Sequence, residues 1–96
     1  MTPTQSANIE RLKVAVALSH PTMNRITISR NLEKLQRIAV SLRKAYRSSA
    51  MNEKTAKLES RATELAREIE IGVFFFEAST EAPIQFEIDG VEYAIF

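Results

Sequence analysis

The chain has 96 residues, of which 45 % are apolar and 26 % are charged, and it contains no cysteine. This length predicts one domain spanning residues 1–96, and the fractions of apolar and charged residues argue against a disordered chain. The missing thiols exclude disulfides and thiolate metal sites. Because the start "MTPTQSANIERLK" also lacks a basic flank and an apolar block, we expect a cytoplasmic protein with no membrane segment.

Charge is divided unevenly along the chain. Residues 1–67 hold all 13 Lys and Arg and five acids, a net charge of +8, whereas residues 68–96 hold seven acids and no base, a net charge of −7. Such asymmetry is typical of contact with a polyanion, or of two halves that attract each other within the fold.

The N-terminal segment predicts a frayed start over residues 1–7 and then a short helix. Its apolar residues recur at spacings of three and four: Ile9, Leu12 and Val16. This period favours a helix from Asn8 to Ser19, capped by Ser6 or Asn8. The run "KVAVAL" also alternates, so a strand remains the alternative. Pro21 ends the segment.

Two apolar seams predict an antiparallel helical hairpin over about 29–47 and 52–71. Both repeat at spacings of four and three: Ile28, Leu32, Leu35, Ala39, Leu42 and Tyr46, then Met51, Thr55, Leu58, Ala62, Leu65 and Ile69. The gap from Tyr46 to Met51 breaks the heptad phase, so the turn falls within "RSSAMN". Ser29 is the expected cap of the first helix. One long helix is the alternative, because no Gly or Pro interrupts the segment.

The C-terminal part predicts a three-stranded antiparallel meander over about 73–78, 84–88 and 91–95. Gly72 is expected to end the preceding helix in a left-handed conformation. The run "VFFFEA" is apolar on both faces, which is typical of a buried central strand.

The dipeptide Asp89-Gly90 predicts a type I′ turn between the last two strands. This turn pairs the apolar residues on one face: Ile88 with Val91, Phe86 with Tyr93, and Ile84 with Ile95. The other face carries Gln85, Glu87, Glu92 and Ala94. We expect the helical hairpin to cover the apolar face, which makes the fold class α+β.

Catalytic and cofactor-binding motifs are missing. His20 is the sole histidine, and Gly72 and Gly90 are the only glycines. A zinc site would need more His or Cys ligands, and a phosphate-binding loop would need more glycine. We therefore expect no enzyme, no cofactor and no metal site, with His20 in a surface loop.

Acidic residues of the last hairpin form the first candidate binding surface. The turn sets Glu87 directly against Glu92, with Asp89 at the turn itself. Like charges facing each other across strands are destabilising unless a positive group covers them. Either a basic partner surface binds here, or the carboxylates are solvated, or an arginine of the same fold covers them.

Basic residues form the second candidate surface: Arg30, Lys34, Arg37 and Lys44. They fall within an arc of about 80° opposite the leucine seam. Such a stripe can follow a phosphate backbone, or it can be solvated and partly neutralised by Glu64 and Glu68 of the neighbouring helix. The stretch "ITISRNLEKLQ" also resembles the recognition helix of winged-helix DNA-binding proteins in the rhythm of its Ser, Arg and Leu residues. That fold requires a helix and turn just before it, and Thr22 to Thr27 is too short to supply them.

The final strand predicts self-association. Val91 to Phe96 is β-prone and lacks Lys and Pro, which usually protect a sheet edge. Either the first strand pairs with it, or a second copy does, and we expect a homodimer. The functional hypothesis is a small non-catalytic regulator, adaptor or inhibitor, of a kind that a phage or mobile element could encode. It would bind a basic protein surface through the acidic residues of its last hairpin. The alternative is a nucleic-acid-binding protein that uses the basic residues of the first long helix.

Overall fold

The computed structural model describes residues 2–47, 53–75 and 84–95. Three helices precede an antiparallel sheet: α1 (Pro3–Ser19), α2 (Arg25–Arg47), α3 (Glu53–Glu68), β1 (Gly72–Phe75), β2 (Ile84–Ile88) and β3 (Val91–Ile95). The α+β class, the helical hairpin and the meander are confirmed. Residues 76–78 of the predicted first strand, and residues 48–52 of the predicted helical turn, lie outside the described residues.

The first helix is longer than the sequence predicted. It begins at Pro3, five residues before Asn8, so most of the segment expected to be frayed forms its first turns. Thr2 and Gln5 form a capping box, in which the side chain of each accepts a hydrogen bond from the backbone N–H of the other. Pro3 suits the first helical position because no intrahelical bond needs its missing N–H. The strand alternative for "KVAVAL" is wrong.

α2 and α3 fold back on each other. The Tyr46 hydroxyl, at the end of α2, donates to Glu59 near the start of α3 at 2.6 Å. Asn31, near the start of α2, donates to the carbonyl of Leu65 at 3.2 Å in the last turn of α3. These contacts exclude one long helix. α2 starts before the expected Ser29, because the Asn24 side chain accepts from the N–H of Ile26 at 2.8 Å and caps the helix.

The end of α3 is a Schellman motif centred on Glu70. The N–H of Glu70 donates to the carbonyl of Arg67, and that of Ile71 donates to the carbonyl of Ala66. Glu70 has a φ of 54°, so it occupies the left-handed position expected at Gly72. The prediction for Gly72 is wrong: this residue already belongs to β1.

The sheet is ordered β1-β2-β3, so β2 is central and β1 lies at an edge. The expectation of a buried central strand at "VFFFEA" is therefore wrong. The core side of the sheet carries Ile84, Phe86 and Ile88, which are buried, and Val73, Phe75 and Tyr93, which are partly buried.

Two different helices cover this core side. α1 packs on β2 and β3, while α3 packs on β1. The helical hairpin is thus not the sole cover, and α2 instead packs against the other two helices. None of the helices in the described ranges has the length and apolarity to cross a membrane.

Candidate functional site

The outer face of the sheet is the face turned away from the helices. The register places six residues on it: Gly72, Phe74, Gln85, Glu87, Glu92 and Ala94. An antiparallel sheet with one face on the core and one face open to solvent is common, so this face needs a further feature to count as a site.

Paired carboxylates are that feature. Glu87 and Glu92 are direct cross-strand partners, as the turn predicted, and both are exposed. Neither glutamate forms an ion pair with a described residue. No described arginine covers the two glutamates, so that explanation of the pair finds no support.

Asp89 stands apart from the two glutamates. It has a φ of 50° and Gly90 has a φ of 80°, which are the values of the predicted type I′ turn. Its carboxylate accepts a hydrogen bond from the hydroxyl of Ser19 at 2.6 Å. Asp89 therefore ties the hairpin turn to the end of α1, whereas Glu87 and Glu92 project from the open face.

An exposed aromatic residue completes this surface. Phe74 is 46 % exposed and pairs with Gln85 on the outer face. A Cβ added to Gly72 would lie 3.5 Å from Cβ of Glu87 and 3.8 Å from Cε2 of Phe74, which is ordinary van der Waals contact, so the ring and the glutamate both lie next to Gly72 on this face. Sequence reasoning missed Phe74, because three consecutive phenylalanines hide the alternation of a half-buried edge strand.

Carboxylates beside an aromatic ring suit a cationic side chain. A carboxylate accepts charge-assisted hydrogen bonds from Arg or Lys, and the ring face attracts the same cations. We call Phe74, Glu87 and Glu92 the acidic face. The described residues contain no group of three His, Cys, Asp or Glu that could hold a metal ion.

The basic stripe is intact on α2. Its four residues are all exposed and point away from the core: Arg30, Lys34, Arg37 and Lys44. None of them forms an ion pair with a described residue. Neither Glu64 nor Glu68 forms an ion pair with the stripe in the described ranges, and Glu68 accepts a hydrogen bond from Asn31 at 2.9 Å.

The acidic face and the basic stripe are the two candidate binding surfaces of this chain. The two surfaces lie on separate elements, the acidic face on the sheet and the basic stripe on α2, so each can be tested without disturbing the other. Comparison with protein-family models, with curated proteins and with solved structures finds no match to this chain.

Proposed function

We propose that this chain is a non-catalytic interaction protein whose acidic face binds a Lys- or Arg-rich surface of another protein. One observation carries the proposal: Glu87 and Glu92 face each other across the strands, with no described cation over them and Phe74 exposed beside them. A regulator, adaptor or inhibitor acting in the cytoplasm fits such a surface, and we take the acting form to be a homodimer.

The energetics favour a cationic partner. Two like charges opposite each other cost roughly 0.2–1 kcal/mol in the free protein. A bound guanidinium or ammonium group removes that repulsion and gains charge-assisted hydrogen bonds. Binding should therefore weaken as salt rises, because exposed charges are screened.

The test is affinity capture from native lysate with a charge-reversed variant. Glu87→Lys/Glu92→Lys reverses the acidic face, and Glu53→Lys/Glu64→Lys changes the net charge equally on exposed positions of α3. We expect a nuclease-resistant protein to be retained by the wild type and by the α3 variant, and lost from the acidic-face variant. Melting curves must show that both variants remain folded.

Equal retention by both variants would contradict the proposal, since the acidic face would then be only solvated surface. Phe74→Ala provides a second measurement that leaves the charge unchanged. It should weaken capture by about 0.5–2 kcal/mol if the ring stacks on the bound cation.

Nucleic-acid binding is the second candidate. It is favoured by the four exposed basic residues of α2, which lack the neutralising ion pairs expected from α3. This alternative requires measurable DNA or RNA affinity at about 50 mM salt that falls steeply as salt rises. Replacing Arg30 and Arg37 with Glu should abolish that binding, and no shift with the wild-type protein would remove the candidate.

A further inference from the structure

One edge of the sheet is open. β3 pairs with β2 on one side, and no strand of the described part lies on its other side. Ile88 and Val91 flank the two-residue turn and form a hydrogen-bonded pair. Hydrogen-bonded and non-hydrogen-bonded pairs then alternate along an antiparallel ladder. The backbone groups of Val91 and Tyr93 therefore point toward β2, while those of Glu92 and Ala94 point outward without a partner in the described residues.

An apolar ridge lies beside this edge. Val14 and Leu18 of α1 are 58 % and 78 % exposed, one helical turn apart. Both line a groove between α1 and Tyr93 of β3, whose other lining residues are Ala7, Ala15 and the oppositely charged Glu10 and Arg11. The ridge and the open edge therefore belong to the same side of the molecule, where α1 packs over β3.

We propose that a second copy of this chain occupies this side, with β3 pairing antiparallel to β3 of that copy about a two-fold axis at Tyr93. The proposal deepens the homodimer of the proposed function by naming its interface. The unpaired backbone groups of an edge strand are a template for pairing with another strand, and a two-fold interface needs a surface that is complementary to itself.

This register is self-complementary in both bonding and charge. Glu92 faces Ala94 of the second copy, and each such pair exchanges two N–H···O bonds. All outward backbone N–H and C=O groups of the two residues are then hydrogen-bonded across the interface. A register centred on Glu92 would instead oppose two glutamates, which is unfavourable. The chosen register sets Tyr93 against its own copy on the helix side of the sheet, as an aromatic cross-strand pair.

The helix layer fits the same axis. Neighbouring strands lie ~4.8 Å apart, so β3 would lie ~2.4 Å and β2 ~7.2 Å from the axis. Because α1 packs on both strands, its axis would lie between them, and the two copies of α1 would be ~5–14 Å apart, a range that includes the spacing of packed helices. Val14 and Leu18 would then be buried between the helices, and the two sheets would form one continuous sheet.

The test is the solution mass of three variants, measured by light scattering during size exclusion. Ala94→Pro removes an outward N–H but leaves the β2–β3 ladder intact, and proline is tolerated on edge strands. Val14→Glu charges the ridge. Ile26→Glu is the matched control, because Ile26 is 63 % exposed on α2, away from β3.

We expect the wild type and Ile26→Glu to have twice the 10.8 kDa chain mass. Ala94→Pro and Val14→Glu should each raise the dimer dissociation constant about tenfold or more, with unchanged circular dichroism. A wild-type monomer at about 0.1 mM, a larger assembly, or a dimer that both variants leave unchanged would overturn the proposal. Because mass reports the dimer and capture reports the acidic face, either proposal can fail alone.

Discussion

His20 contacts Glu70 through both of its ring nitrogens. Nδ1 lies 3.2 Å from Oε2 of the Glu70 side chain, and Nε2 lies 3.2 Å from the Glu70 backbone carbonyl. Both Glu70 atoms are acceptors, so the protonated ring can donate to both. This clamp joins the loop after α1 to the end of α3 and holds a glutamate in the left-handed region, which costs a residue with a Cβ about 1–2 kcal/mol.

The clamp predicts that mutations of His20 and Glu70 are not additive. In the wild type, Glu70→Gly relieves the backbone strain but loses the contact of His20 Nδ1 with the carboxylate, while the backbone carbonyl remains, so the free energy of unfolding should change little. In a His20→Ala background that contact is already absent, and Glu70→Gly should stabilise the protein by about 1 kcal/mol. Urea denaturation of the four proteins checks this, and equal effects in both backgrounds would mean that His20 does not hold Glu70.

Gln36 predicts a stabilising substitution. Its side chain is 2 % exposed, and neither its amide nitrogen nor its oxygen has a hydrogen-bond partner in the described part of the chain. Because an unpaired buried amide costs about 1–3 kcal/mol, Gln36→Met should raise the free energy of unfolding by roughly that amount.

Asn31 provides the contrasting control for Gln36. It is equally buried, but it donates to Leu65 and Glu68 at the end of α3. Asn31→Leu should therefore destabilise the protein by about 1–3 kcal/mol. If both substitutions shift the denaturation midpoint in the same direction, amide pairing does not decide these positions.

Ser19 predicts a way to separate turn stability from partner binding. Removing its hydroxyl breaks the bond to Asp89, so Ser19→Ala should lower the free energy of unfolding by about 0.5–1.5 kcal/mol. Capture of a basic partner should stay unchanged, because Glu87 and Glu92 are untouched. Ser41→Ala, at an exposed position of α2, is the control: it should leave capture unchanged and should not lower the free energy of unfolding, because alanine is the better helix former.

Lys13 predicts a loss of stability at high pH. Burial by itself would lower the pKa of Lys13, but hydrogen bonds from its ammonium group to Glu33 and Glu10 outweigh burial and raise that pKa above 10.5. A lysine pKa that is higher in the folded state stabilises that state fully at pH values below the lysine pKa of the unfolded chain. This contribution disappears as the pH rises through the lysine pKa of the folded state.

The comparison with Lys13→Met isolates this contribution. The wild type should be more stable by about 0.5 kcal/mol near neutral pH, because both glutamates are largely exposed. The difference should shrink above pH 10.5. A stability difference that stays constant across that range would show that packing of the lysine stem, not its charge, is responsible.

The sequence by itself determined the features that depend on local chemistry. The seams of α2 and α3 predicted most of the residues that these helices bury, since helical periodicity places them on one face regardless of what packs there. Asp89-Gly90 predicted its turn, because few dipeptides adopt two positive φ values, and the turn then set the whole register of β2 and β3. The opposition of Glu87 and Glu92 followed directly.

Only the tertiary structure decided how these elements meet. β2 takes the central place in the sheet, so β1 lies at the edge and exposes Phe74. The composition of "VFFFEA" cannot show whether this strand is central or at an edge, because its aromatic residues suit both positions. Glu70 takes the left-handed position at the end of α3, where His20, fifty residues away in sequence, contacts it. α1 covers β2 and β3, a place that the sequence assigned to the helical hairpin. Contacts between segments distant in sequence determine the strand order and the helix that packs on the sheet, because local preferences do not distinguish these arrangements.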